Sequence, residues 1–146
     1  MTWWNIVAAT LCLGLCGIAG VFGVHVLVSS YAANARYMAD EKTWQSLRSQ
    51  GVRTEGVVVG ISRQANRLTK NGSYGNNEVA ATDLVLGYED TAGNRHEVSV
   101  AAFIELGLLA NFSIGKKIAV IYARDAPDRV AIDRERTPLE IPSSAH

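Results

Sequence analysis

Cysteine is scarce in this chain: Cys12 and Cys16 are its two thiols, and both lie near the N-terminus. With no others to pair, a disulfide framework is excluded. Two thiols at i, i+4 share a helix face but fall short of the four ligands of a structural zinc site. The nearest imidazole, His25, stands roughly 13 Å further along a helix axis at 1.5 Å per residue. Histidine is equally sparse, with His25, His96 and His146, and there is no EF-hand, phosphate loop or His/Cys cluster. Charge is missing altogether before Arg36. No cofactor or metal is expected.

What fills the charge-free region decides where the protein lives. From Trp3 to Tyr31 nothing is more polar than Asn5, Thr10, His25, Ser29 and Ser30. About 20 mostly apolar residues cross a bilayer, so residues 1–31 are expected to form a transmembrane α-helix. Trp3, Trp4 and Tyr31 suit the aromatic belts of its two interfaces. Ala33-Asn34-Ala35 resembles a signal-peptidase site, yet the apolar run exceeds a signal h-region and no Lys or Arg precedes it. A retained single-pass anchor is the expectation, with the lipid bilayer as the first partner. Ala8, Cys12, Cys16 and Gly20 recur every four residues, a spacing that lets membrane helices approach closely. A second copy or another membrane protein would then pair along this stripe. Lys and Arg number none before the span and three just after it (Arg36, Lys42, Arg48), leaning toward a cytoplasmic domain, whereas a signal anchor with its α-amino group inside would place the domain outside.

Residues 32–50 hold no proline or glycine and predict a juxtamembrane helix with Tyr37, Trp44 and Leu47 on its apolar side and its charges in solvent. Gly51 stands where a helix C′ glycine would. From there the period changes to that of strands. Strands are expected over 54–62, 79–90, 95–101, 115–123 and 129–133, with a short helix or turn over 102–112. Thr82, Leu84, Leu86 and Tyr88 should share one face, and Val98 and Val100 another. Three strands, a short helix and two strands is the order of a five-stranded OB-like barrel. A small sandwich has the same ingredients. The fold class expected is therefore a membrane helix plus a small all-β domain over 51–133, with 134–146, which carries Pro138 and Pro142, a flexible tail.

The order "TEGVVVG", "LVLGYEDTAGNRHEVSV", "SIGKKIAVIYARDAPDRVAI" after a membrane helix resembles the bacterial family called domain of unknown function 3592. Gly56, Val58, Tyr88, Gly93, Gly115, Val120, Tyr122 and Pro127 occupy its strand and turn positions. The resemblance covers about residues 54–133, and departs from many members in the long 63–78 insertion and in lacking a second hydrophobic helix. It implies a membrane-associated accessory domain and carries over no catalytic residues.

Chemistry is thin. His96 is the one histidine in the folded region, and its neighbour Glu97 points to the opposite face of a strand. His96 is expected as an exposed strand residue, and Glu89 and Asp90 as ordinary turn acids. A nucleophile, base and orienting group are not assembled, and the chain is not expected to be an enzyme. In an OB-like barrel the loops after strands 1 and 4 form the usual ligand edge. The first would be 63–78, whose Arg63, Arg67, Lys70 and Tyr74 are the candidate ligand residues. Nucleic acid is not the expected ligand. One tyrosine is too few to stack bases, and residues 51–133 carry nine basic against ten acidic side chains. A membrane-anchored binding or assembly module is the expected function, with an immunity-type protein that neutralises a toxin at the membrane as the alternative.

Overall fold

A computed structural model describes residues 35–63, 69–72 and 77–142, with 69–71 described by backbone alone. The expected transmembrane helix over 1–31 and its stripe Ala8, Cys12, Cys16 and Gly20 lie outside the described residues. Among the described residues no helix is long and apolar enough to cross a membrane.

The domain is a small all-β unit of antiparallel strands in a nearly closed barrel. Strand β1 (Val52–Ser62) is followed by the three-residue β2 (Thr69–Asn71), then β3 (Glu78–Glu89), β4 (Arg95–Glu105), a 3-10 helix (Leu106–Phe112), β5 (Lys117–Ala123) and β6 (Ala126–Ile132). β1 passes from one neighbour to another along its length. Its first half pairs with β5 (Val52↔Tyr122 to Val57↔Lys117), and its second with β3 (Gly56↔Tyr88 to Ser62↔Asp83). The register shift between Val58 and Gly60 marks a bulge that bends the strand between them. β3 also pairs with β4 from Val79↔Glu105 to Glu89↔Arg95, and β5 pairs with β6. The hydrogen-bonded order is thus β4-β3-β1-β5-β6. A seam remains between β4 and β6.

The period-2 pattern sets the interior. Leu84, Leu86 and Tyr88 of β3 are buried with Val58, Val100, Ile104, Ile118, Val120, Tyr122, Val130 and Ile132, as their alternation requires. Phe112 of the 3-10 helix joins the same cluster. Two turns use the left-handed backbone that glycine alone adopts cheaply: Gly93 (φ 84°) in the β3–β4 hairpin and Gly115 (φ 86°) before β5.

Four expectations need correction. First, Ala102–Glu105, expected to begin a helix, extend β4 instead. They pair with Val79–Thr82, because the ladder bonds of a twelve-residue β3 outweigh a weak three-residue apolar repeat interrupted by Gly107. Second, the 63–78 segment is not all loop: Thr69–Asn71 pair with Glu78–Ala80, and the Gly72 N–H donates to the Asn77 carbonyl at 2.8 Å. Third, 134–142 is no loose tail. Leu139 is buried in the main core, its carbonyl accepts from the Glu105 N–H at 2.9 Å, and the Ile141 N–H donates to Glu105 Oε2 at 2.7 Å.

The fourth concerns the helix over 35–47, here α1, whose charges were expected in solvent. α1 bridges the seam. Tyr37 packs on Ala81, Ala101 and Phe103 of β3 and β4, while Trp44 and Leu47 pack on Ile121, Ala123 and Ala131 of β5 and β6. Asp40 accepts the Ala101 N–H, Glu41 holds Arg134 at 2.5 Å, and Arg129 donates to Ser46 Oγ at 2.5 Å. Gly51, after the helix, is required by size and not by a left-handed φ: a Cβ there would lie 2.5 Å from Ile121 Cγ1.

Candidate functional site

Outward-facing positions of four neighbouring strands build a groove on the side of the barrel that α1 leaves uncovered. The register places Lys117, Val57, Gly87 and Glu97 in one row across β5, β1, β3 and β4. Glu89 and Arg95 pair in the next row, and Glu55 stands two residues before Val57 on β1. The resulting hollow is about 490 Å³, within the range of small-molecule pockets. Val57 is exposed at its floor, and Gly87 adds no side chain. Across it Lys117 Nζ pairs with Glu55 Oε2 at 3.3 Å.

Tyr88 and His96 line the end of this groove. They face each other across the β3–β4 ladder, and their rings stack with centroids 5.2 Å apart at 22°. Asp90 organises the hairpin between them. Its Oδ1 accepts the N–H groups of Ala92 and Asn94 at 2.8 and 2.9 Å, and its Oδ2 lies 2.8 Å from His96 Nε2. The hydrogen bond from His96, then those from Asn94, hold the Asp90 carboxyl well below the usual carboxylate range. Tyr88 donates its hydroxyl proton to the Pro127 carbonyl. Burial, with Tyr122, Asp128 and Asp90 nearby, pushes its phenol up to about 12. Tyr122 Oη accepts the Thr91 N–H at 2.9 Å.

Of the sequence-predicted ligand residues, Arg63 is the one whose side chain falls among the described residues. Arg63 is exposed beyond the end of β1, and the Lys70 backbone pairs with Val79. Arg67 and Tyr74 lie outside the described residues. Ser62 leads into the β1–β3 loop while Val52, at the other end of β1, pairs with Tyr122 beside the β5–β6 turn. The two loops expected to make one ligand edge therefore sit at opposite ends of β1. His96, expected exposed, is largely covered by Tyr88 and Asp90. The available signal was its hairpin position opposite Tyr88 with an aspartate at the turn. Among the described residues no group of three or more His, Cys, Asp or Glu is placed to hold a metal ion. No protein-family model, curated protein or solved structure matches this chain.

Proposed function

We propose that this protein is a membrane-anchored, non-enzymatic binding or assembly module. The observation that carries the reading is the fusion of α1 to the barrel. The helix that follows the charge-free segment in the chain is packed onto four strands and fixed by Asp40, Glu41 and Ser46. A flexible tether would need none of these contacts. The groove of Val57, Gly87 and Glu97 shares no residue with the α1 contacts. The pairing order β4-β3-β1-β5-β6, with the 3-10 helix between β4 and β5, supports an OB-like barrel over a sandwich. It is also compatible with the resemblance to domain of unknown function 3592, whose turn glycines fall at Gly93 and Gly115.

On this reading residues 1–31 span a bacterial inner membrane once, and Ala8, Cys12, Cys16 and Gly20 pair with a second copy or another membrane protein. The three basic residues after the span favour a cytoplasmic domain. Glu55, Glu89 and Glu97 around the groove argue against a polyanionic ligand such as nucleic acid.

The test has two arms in native membranes. Alkaline extraction followed by intact mass should leave the full 146-residue chain in the membrane fraction. A mature chain beginning near Arg36 would refute the anchor. Photo-cross-linkers at Val57 and at Glu97 should yield the same discrete adduct, and one at exposed Ile114 should not. Identical labelling at all three positions would refute the groove as the binding surface.

A further inference from the structure

We propose that His96 is a proton-operated clasp joining the two turns at one end of the barrel. Asp90, in the β3–β4 hairpin, has its Oδ2 2.8 Å from His96 Nε2. Asp128, in β6 just after the β5–β6 turn, has its Oδ1 3.9 Å from Nδ1 of the same ring. One imidazole thus stands between carboxylates from two separate turns.

A neutral imidazole has one N–H and one bare lone pair. The short contact to Asp90 claims the N–H for Nε2, because an ionised carboxylate only accepts. Nδ1 then faces Asp128 acceptor to acceptor, and 3.9 Å lies beyond hydrogen-bond range. A second proton makes both nitrogens donors and lets the ring bridge the turns. Histidine is the side chain that ordinarily changes charge between about pH 5 and 8.

The surroundings favour this assignment. Tyr88 stacks on the ring, and its hydroxyl is already committed to Pro127, the residue before Asp128. Tyr122 ties Thr91 of the first turn to β5. The other charged groups of the groove are Glu55, Glu89, Arg95, Glu97 and Lys117. Glu55 and Lys117 neutralise each other, and Arg95 lies opposite Glu89. Among the described residues, Asp90 and Asp128 are the carboxylates within ion-pair distance of the ring.

The test uses the full-length chain in a mild detergent. Asp128 is 94% exposed, so Asp128→Asn perturbs no packing. It should lower the melting temperature by roughly 2–4 °C near pH 5.5 and leave it unchanged near pH 8. In a His96→Gln background the same change should have no effect at either pH. Imidazole nitrogen shifts of His96, assigned by that variant, should show the Nε2–H tautomer at the higher pH. An Asp128→Asn effect equal at both pH values, or a His96 carrying its proton on Nδ1, would overturn the clasp.

Discussion

The Asp40 carboxylate accepts a hydrogen bond from the backbone N–H of Ala101, 61 positions further along the chain. Ala101 lies in β4 beside the seam, where no neighbouring strand takes that donor. A side chain of α1 therefore does what a sixth ladder contact would do. Burial raises the Asp40 carboxyl, and the hydrogen bond from Ala101 opposes the shift.

Asp40→Ala should consequently cost about 1–3 kcal/mol, the penalty for a buried amide left without an acceptor. Asp40→Asn keeps a carbonyl oxygen at the site and should cost less. The pH dependence has a definite sign. A carboxyl raised in the folded state contributes stability at low pH that is lost as pH climbs above the ordinary carboxylate range. Urea midpoints between about pH 4 and 7 should fall with rising pH more in the wild type than in Asp40→Asn.

Leu139→Ala should destabilise by about 2–4 kcal/mol, a core-truncation cost. Leu139 belongs to the cluster of Val100, Ile104 and Ile132 despite lying in the proline-containing C-terminal stretch. Denaturant unfolding would measure the loss. A midpoint unchanged from wild type would return 134–142 to the status of a tail.

Gly115→Ala should cost roughly 1–2 kcal/mol through backbone conformation alone. The residue sits at φ 86°, and a Cβ there would meet nothing within 4 Å. A neutral substitution would mean that the turn before β5 relaxes without consequence.

Tyr88 should remain un-ionised until about pH 12, well above an ordinary tyrosine. Because its folded value is raised, its contribution to stability is intact below about pH 10 and is lost as pH rises through about 12. Ultraviolet titration should show a phenol titrating near pH 12 that disappears in Tyr88→Phe, while Tyr37, which burial and Asp83 also raise, stays late in both. If all phenols in the variant and the wild type titrate together, the buried hydroxyl bond to Pro127 is not maintained in solution.

How much of this was legible follows from what a local pattern encodes. Leu84, Leu86, Val120 and Tyr122 announce themselves by alternation, and each is buried. The turns at Gly93 and Gly115 are equally local. β4 was truncated because Phe103, Leu106 and Leu109 mimic a helical repeat, and only a long partner strand overrules it. The candidate site was harder still. Glu55, Gly87 and Glu97 belong to three strands, and no spacing in the chain brings them into adjacent rows. Nor does any local signal say that Arg134 will meet Glu41 across 93 positions.

That separation has a cost in time. Translation adds about 5–20 residues per second, so roughly 5–19 s pass between the emergence of Glu41 and that of Arg134, 93 positions on. For most of that interval Trp44 and Leu47 lack β6 and a complete β5 to cover them, and Tyr37 waits for Ala81 of β3 and Ala101 and Phe103 of β4. A barrel whose first helix is its last closure folds late, because contacts of long sequence separation form slowly. The face that finishes the fold is thus the apolar surface most exposed to aggregation during synthesis, and slowing the ribosome should harm this protein's yield rather than help it.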